Sequence, residues 1–354
     1  MYSVAIRTDG GASIGMGHIM RCLSLAKAFK GAGYAVLFIS KYKEGIDRIR
    51  SEGFQVIQLS HSSNQIDTGF YYGDKLELEK EIKAIIEVLS SAEIELLLID
   101  TYNVTEEYFL NVKPYVKKLG YIDDVNKFVY PVDILINGNI TGEYMGYKKY
   151  SQEEVMLLGP KYNLIRDEFR NIPQRNIGEK VKEITLTTGG SDPYNMSVKI
   201  LNILMKHEEL RKLKINVIVG NGFKDKEQLK RISENNKNIV IYENVEFMSH
   251  IMLRSDIAIS AGGSTLYELC ACGTPTLAII MADNQEFLVK KMDELGYIKS
   301  LGWYNKINDD NLIENLKELC FNYNKRFAQS RKMQKLVDGL GAERVVNEVL
   351  ARLK

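Results

Sequence analysis

The chain lacks most features that would assign a function from composition alone. No apolar run reaches the roughly 18 residues a membrane-spanning helix requires, so no span is expected. Neither sign of charge dominates: 47 Lys and Arg against 46 Asp and Glu leave +1. There is thus no basic field to draw nucleic acid and no acidic tail. The opening MYSVAIRTDGG has no basic region followed by an apolar stretch, so a secretory signal is not expected and a cytoplasmic protein is. Cysteine is scarce. Of Cys22, Cys270, Cys272 and Cys320 only Cys270 and Cys272 are close, so neither a structural zinc site nor a disulfide framework is expected, and buried free thiols are. No Asp-x-Asp and no His-Glu-x-x-His occurs; metal independence and the absence of a cofactor follow as expectations. Histidine is rare too, and His61, His207 and His250 lie in polar contexts that suit the surface.

What is present is a chain of 354 residues, 45% hydrophobic and 26% charged, long enough for two globular cores. Strand-like and helix-like stretches alternate twice. In the first run, strands are expected at 3–7, 34–40, 54–59, 95–100, 119–122 and 132–137, with helices at 18–30 and 75–90. Ile19, Cys22, Leu23, Ala26 and Phe29 recur at helical spacing and mark a buried face. ELLLID at 95–100 reads as a buried parallel strand by its continuous apolar run. The pattern lapses into RDEFRNIPQRNIGEKVK at 166–182, where a linker is expected. The second run has strands at 183–188, 215–219, 239–242, 257–260 and 276–280, helices from Asn195 and at 265–272, and a helical tail from Asp309. Such alternation implies an α/β protein of two Rossmann-like domains, 1–170 and 180–354, each a parallel sheet covered by helices. Ligands of such sheets sit beyond the carboxyl ends of the strands, so loops that follow strands carry the information.

Three of these loops are rich in glycine. Asp9-Gly10-Gly11-Ala12-Ser13-Ile14-Gly15-Met16-Gly17-His18 joins the first strand to the first helix. Its glycines admit a ligand close to the backbone, and the helix N-terminus behind it favours an anion. That same positive end disfavours an imidazolium at His18, so a neutral imidazole able to take a proton from water is expected. A histidine that only caps the turn or packs there reads equally well from these residues. The loop is no Walker motif, because no Lys-Ser/Thr pair follows the glycines. Thr188-Gly189-Gly190-Ser191-Asp192-Pro193-Tyr194-Asn195 also leaves a strand. Gly190 and Ser191 can bind a phosphate oxygen, whereas Asp192 as a cap with Pro193 in the first helical position is the plainer alternative. In Gly262-Gly263-Ser264-Thr265-Leu266-Tyr267-Glu268 the spacing from Thr265 to Glu268 is that of a capping box. The functional alternative gives Gly263, Ser264 and Thr265 a diphosphate and Glu268 the two hydroxyls of a ribose. Asn284 and Gln285 follow the strand at 276–280 and are suited to sugar hydroxyls or acetamido groups, or to a turn.

These residues carry a resemblance. Arg7-Thr8-Asp9, Gly15-Met16-Gly17-His18 and Arg21-Cys22-Leu23-Ser24-Leu25-Ala26 resemble the opening of the UDP-2,4-diacetamido-2,4,6-trideoxy-β-L-altropyranose hydrolases. These enzymes serve pseudaminic acid synthesis, hence flagellin glycosylation and surface polysaccharide, and group with the spore coat polysaccharide biosynthesis protein G family. The similarity continues at Ile122-Asp123-Asp124, Leu158-Gly159-Pro160-Lys161-Tyr162, Arg166-Asp167-Glu168-Phe169 and Gly189-Gly190-Ser191-Asp192, and from Ser260 to Gln285. Residues 64–73 and those past Gln285 have no counterpart. The glycine-serine-threonine segment with Glu268 is shared with UDP-sugar glycosyltransferases of the MurG type.

The resemblance implies a GT-B-like fold, two Rossmann-like domains facing a cleft, with UDP on the second. It implies a hydrolase that uses water as acceptor and gives UDP and the free sugar. His18 takes the catalytic position. Candidate substrate contacts are Asp9, Gly15, Gly17, Arg21, Asn284 and Gln285. Candidate UDP contacts are Gly190, Ser191, Phe247, Met248, Gly263, Ser264, Thr265 and Glu268. The expected partner is the UDP-sugar alone, on a monomer or weak dimer. A UDP-sugar glycosyltransferase and a non-catalytic nucleotide-sugar binding protein are the alternatives.

Overall fold

A computed structural model describes residues 3–11, 14–60, 75–220 and 222–353. The expectations at Ala12, Ser13, His61 and 64–73 lie outside the described residues. The chain forms two compact units: residues 1–166 with 340–354, and residues 167–339.

In the first unit the elements run β1 (Val4–Thr8), α1 (Gly17–Gly31), β2 (Val36–Ser40), α2 (Lys43–Ser51), β3 (Gln55–Gln58), α3 (Lys75–Ser91), β4 (Leu96–Asp100), α4 (Glu106–Val112), β5 (Lys118–Ile122), β6 (Ile134–Asn137) and β7 (Val155–Leu158). All seven strands pair in parallel in the order β3-β2-β1-β4-β5-β6-β7. The central strands VAIRT, VLFIS and LLLID are buried throughout, because helices cover both faces. One face packs Val4, Ile6 and Leu98 against the stripe Ile19, Cys22, Leu23, Ala26 and Phe29 of α1. The other packs Ala5, Leu97 and Ile99 against Ile85 and Leu89 of α3 and Tyr108 and Phe109 of α4. Helix α1 ends where Gly33 takes φ +89° and Tyr34 N–H returns to the Phe29 carbonyl (3.0 Å), a left-handed stop that glycine accepts without strain.

The second unit runs β8 (Glu183–Thr187), α5 (Met196–Met205), β9 (Lys214–Val219), α6 (Lys226–Glu234), β10 (Ile239–Glu243), α7 (Met248–Arg254), β11 (Ile257–Ala261), α8 (Thr265–Cys272), β12 (Thr276–Ile280), α9 (Asp283–Glu294), β13 (Lys299–Trp303), α10 (Asp309–Phe321) and α11 (Tyr323–Leu336). Its parallel sheet has the order β10-β9-β8-β11-β12-β13. Both sheets thus start in the middle, build outward, return to the middle and build the other way. Each has one point where the direction reverses, between β1 and β4 and between β8 and β11.

The expected domain limits change in two ways. The stretch 166–182 is not a free linker: Arg175 is buried in the second unit, donating to the Met252 (3.2 Å) and Cys272 (3.4 Å) carbonyls near the ends of α7 and α8. Burial lowers its pKa, opposed in part by Cys272 and Asp256, and the helix C-termini supply further compensating negative charge. The last helix, α12 (Gly341–Leu353), was expected with the second domain and belongs to the first. Its stripe Ala342, Val345, Val346 and Val349 joins the core beneath α1, and an apolar stripe goes where it can be covered.

Candidate active site and nucleotide loops

The reversal points explain which loops meet. Thr8 is paired with Asp100 where β1 and β4 end together. Chain leaving β1 therefore shares a sheet edge with chain leaving β4, 82 positions away at His18. There His18 Nδ1 lies 2.7 Å from Asp100 Oδ1. A carboxylate only accepts, so the shorter contact puts the ring proton on Nδ1 and leaves Nε2 as the basic nitrogen; Arg21 Nη2, which lies 3.0 Å from the same Nδ1, then donates to Asp100 and not to the ring. No hydrogen bond engages Nε2 among the described residues.

Asp100 is fully buried, and burial alone would raise its pKa. Arg21 overcomes that with a two-pronged clamp, Nε to Oδ2 at 2.7 Å and Nη2 to Oδ1 at 2.5 Å, and holds the carboxyl well below its usual range with the help of His18. Cys22 Sγ adds a donor to Oδ2 at 3.2 Å. Arg21 also reaches Asp124 Oδ2 (3.1 Å), whose other oxygen accepts from Tyr102 O–H at 2.7 Å. Burial and the Asp124 charge push the Tyr102 phenol far above its usual range, so it stays a donor. The Tyr102 ring meets His18 edge to face, centroids 4.9 Å apart. A chain of charges, Tyr102-Asp124-Arg21-Asp100-His18, thus fixes the imidazole. The preceding Asp123 builds the turn instead, accepting from Asn126 N–H (2.7 Å), Tyr130 (2.9 Å) and Tyr147 (2.5 Å).

The other candidates in this unit divide. Gly15, at φ +76°, closes its loop by exchanging backbone hydrogen bonds with Gly11 (2.8 and 3.2 Å). It and Gly17 are exposed. Arg21 is held by carboxylates on both sides and serves His18 directly. Asp9 faces the His18 recess, but its oxygens are taken by Arg7 Nη2 (2.6 Å) and Lys41 N–H (2.9 Å). Fully buried Arg7 also binds Glu81 Oε1 (2.7 Å), which accepts from Tyr108 O–H (2.8 Å), while Lys41 Nζ pairs with Oε2 (2.6 Å). The Arg7-Thr8-Asp9 motif is therefore a buried charge network that anchors the loop carrying His18.

In the second unit the loops leaving β8 and β11 come together by the same topology. Gly189 has φ +87°, and Gly190 and Ser191 are exposed. A Cβ on Gly220, at the end of β9, would stand 2.4 Å from the Gly190 carbonyl, which also accepts from Gly222 N–H at 2.9 Å. Asp192 caps α5 in a way the sequence did not show. The helix begins at Met196, and Asp192 accepts from Met196 N–H (2.8 Å) and Ser197 N–H (2.7 Å); Pro193 precedes the helix instead of opening it. The capping box on Thr265 and Glu268 does not form. Ser264 takes the cap position without a side-chain cap bond, and Leu266 N–H and Tyr267 N–H bond the Gly263 and Ser264 carbonyls (both 3.0 Å). Ser264 is exposed, and Thr265 and Glu268 are half-buried.

Asn284 is exposed in the first turn of α9. Gln285 instead turns its carbonyl oxygen onto Met281 N–H (2.9 Å), and Gly262 leaves room for it: a Cβ there would stand 3.3 Å from that oxygen. Phe247 is exposed and stacks on His250, whereas Met248 is buried. Glu168 caps α7 through Ser249 N–H at 2.9 Å. Sequence reasoning missed Asp100, Tyr102 and Asp124 as parts of one site. The visible signal for Asp100 was an acid at the carboxyl end of an otherwise apolar strand.

A family model described as the glycosyltransferase family 28 C-terminal domain matches residues 184–345. The spore coat polysaccharide biosynthesis protein SpsG of Bacillus subtilis is 24% identical over 351 residues, 97% of this chain and 96% of that protein. The chain is a relative of SpsG. The UDP-2,4-diacetamido-2,4,6-trideoxy-beta-L-altropyranose hydrolase of Campylobacter jejuni is 27% identical over 302 residues, 83% of this chain and 97% of the hydrolase. A Methanocaldococcus jannaschii relative, uncharacterized protein MJ1062, is 30% identical over 299 residues; the match takes in 80% of this chain but 56% of that longer protein. Among solved structures, Acinetobacter baumannii MurG superposes with a TM-score of 0.70 at 12% identity, over 99% of both chains. The calicheamicin glycosyltransferase CalG4 gives 0.67 at 12%, over 99% of this chain and 98% of its own. The fold is that of the GT-B proteins, two Rossmann-like domains in one chain. Of these relatives, one is named for spore coat polysaccharide biosynthesis and one for hydrolysis of a UDP-sugar.

Proposed function

We propose that the chain hydrolyses a UDP-activated diacetamido-trideoxy sugar at the anomeric carbon, giving UDP and the free sugar. The observation that carries this reading is the His18–Asp100 pair clamped by Arg21. A histidine with its Nδ1–H on a buried carboxylate presents Nε2 as a general base, and the carboxylate stabilises the imidazolium formed when Nε2 takes a proton. An acceptor hydroxyl would use the same base, and water is the acceptor that needs no further binding surface. The C1–O bond breaks with its electron pair passing to the β-phosphate of UDP. In this reading Gly190, Ser191, Gly263, Ser264 and Thr265 stabilise the diphosphate with backbone amides and hydroxyls at the starts of the loops leaving β8 and β11. Glu268 takes the ribose, Asn284 the sugar, and Phe247 the uracil side.

A GT-B glycosyltransferase is the second reading, favoured by the family 28 match over 184–345 and by the solved neighbours. Incubation with a panel of UDP-N-acetylated deoxysugars, without any acceptor, separates the two. UDP release by the parent chain and its loss in His18→Asn supports hydrolysis. Release that depends on an added carbohydrate or lipid supports transfer, and tight binding with no turnover under either condition supports a binding protein.

A further inference from the structure

Next to His18 the loop leaving β4 closes a small recess of about 20 Å³, lined by Asp9, Ile14, His18, Asp100, Thr101, Tyr102 and Asn103. That is space on the scale of one water molecule. Most polar groups around it are already engaged. Asp9 and Asp100 are ion-paired, and Tyr102 donates to Asp124. Thr101 Oγ1 accepts from the Asn103 N–H at 3.2 Å. Asn103 is the exception: its side-chain oxygen is buried and has no hydrogen-bond partner. Buried acceptors without partners are rare in folded proteins and mark places where something else supplies the donor. His18 lines the same space, and its Nε2 is a second acceptor with no hydrogen bond among the described residues. Two acceptors around a one-water recess suit a molecule with two O–H donors.

We propose that Asn103 is a catalytic residue that, with His18, holds the attacking water in this recess. The inference rests on the hydrolase reading for its chemistry, though the water site itself can be seen without turnover. One water hydrogen is donated to Asn103 Oδ1 and the other to His18 Nε2, which leaves an oxygen lone pair free. The oxygen attacks C1, the C1–O bond to the diphosphate breaks with its electrons going to UDP, and the proton on the His18 side passes to Nε2. The remaining hydrogen stays on the new anomeric hydroxyl, still on Asn103.

The test compares the parent chain with Asn103→Ala and Asn103→Asp, the second keeping an oxygen acceptor at the same reach. The Ala variant should lose about 10–100-fold in kcat at nearly unchanged KM, and the Asp variant should recover most of it. With methanol added, the parent should form free sugar almost exclusively, whereas Asn103→Ala should form a larger share of methyl glycoside, a change that a merely structural role would not produce. Parent-like kcat and partition in the Ala variant would overturn the proposal, as would a rise in KM alone, which would make Asn103 a sugar contact. A high-resolution crystal structure of the unliganded parent gives a second decision independent of activity. Water bonded to both Asn103 Oδ1 and His18 Nε2 supports the site, and a dry or protein-filled recess overturns it. If the parent released no UDP from any sugar, the hydrolase reading would fall, and the crystal structure alone would still decide the water site.

Discussion

Asp100 shows how much a single residue does here and how little the sequence reveals of it. In LLLID it reads as the polar end of a core strand. In the fold it collects His18, both prongs of Arg21 and the Cys22 thiol. Asp100→Asn should keep the fold but lose about 10²-fold or more in kcat, because an amide can face Nδ1 with its own N–H and turn the proton to Nε2, leaving no base. A kcat and KM measurement checks this, with KM expected near the parent value.

Glu81 tests the neighbouring network. Burial would raise its pKa, but Arg7 and Lys41 bring it down to about 2. An unfolded glutamate titrates near about 4.3. A depressed carboxylate contributes stability in full above the unfolded value and loses it as pH falls through the folded one. Glu81→Gln should therefore be less stable at pH 7 by about 3–5 kcal/mol, since it leaves Arg7 and Lys41 buried and uncompensated. The gap between the denaturation curves of variant and parent should close between about pH 4.5 and pH 2, and a gap that stays constant would remove Glu81 from the network.

At the scale of elements, the sequence announced the strand-end loops well and the helix starts poorly. Glycines after β1, β8 and β11 were legible because a run of apolar residues breaking into glycine has few other meanings in an α/β chain. The caps were not, because several acids and amides stood near each helix start. Asp192 binds two amides four and five residues ahead, Glu168 caps a helix 81 positions away, and the Thr265–Glu268 spacing forms no box. The edge strand β13, KSLGW, was missed for want of an apolar run, and β7, VMLL, for the shortness of its run, since an edge strand covers only part of the core. The contact of Gly220 with the Gly190 carbonyl gives the element-scale test. In Gly220→Ala a Cβ 2.4 Å from that oxygen must displace the β8–α5 loop, at a stability cost of about 1–3 kcal/mol. UDP affinity measured by titration calorimetry should fall at least tenfold. An unchanged affinity would mean that this loop does not hold the nucleotide.

At the scale of the whole molecule, two sheets of the same winding account for why distant residues converge. The strand order could be anticipated from alternation, but where the final helix packs could not. Val345, Val346 and Val349 read as one stripe of an ordinary tail helix, and only the exposed flank of α1 determines where that stripe is covered. Each buried valine is worth about 1.5–3 kcal/mol. Deleting 340–354 should therefore weaken the first unit selectively, with hydrogen exchange rising in β1, α1 and β4 and little changed in β8 and β11. Uniform loss across both sheets would contradict the division into units.

Hydrolysis in ¹⁸O-labelled water, with no acceptor present, tests the proposed reaction most directly. The parent chain should release UDP that carries no label, with the label in the sugar at the earliest times, because water attacks C1. Label in the UDP phosphate, or no UDP at all until an acceptor is supplied, would contradict it.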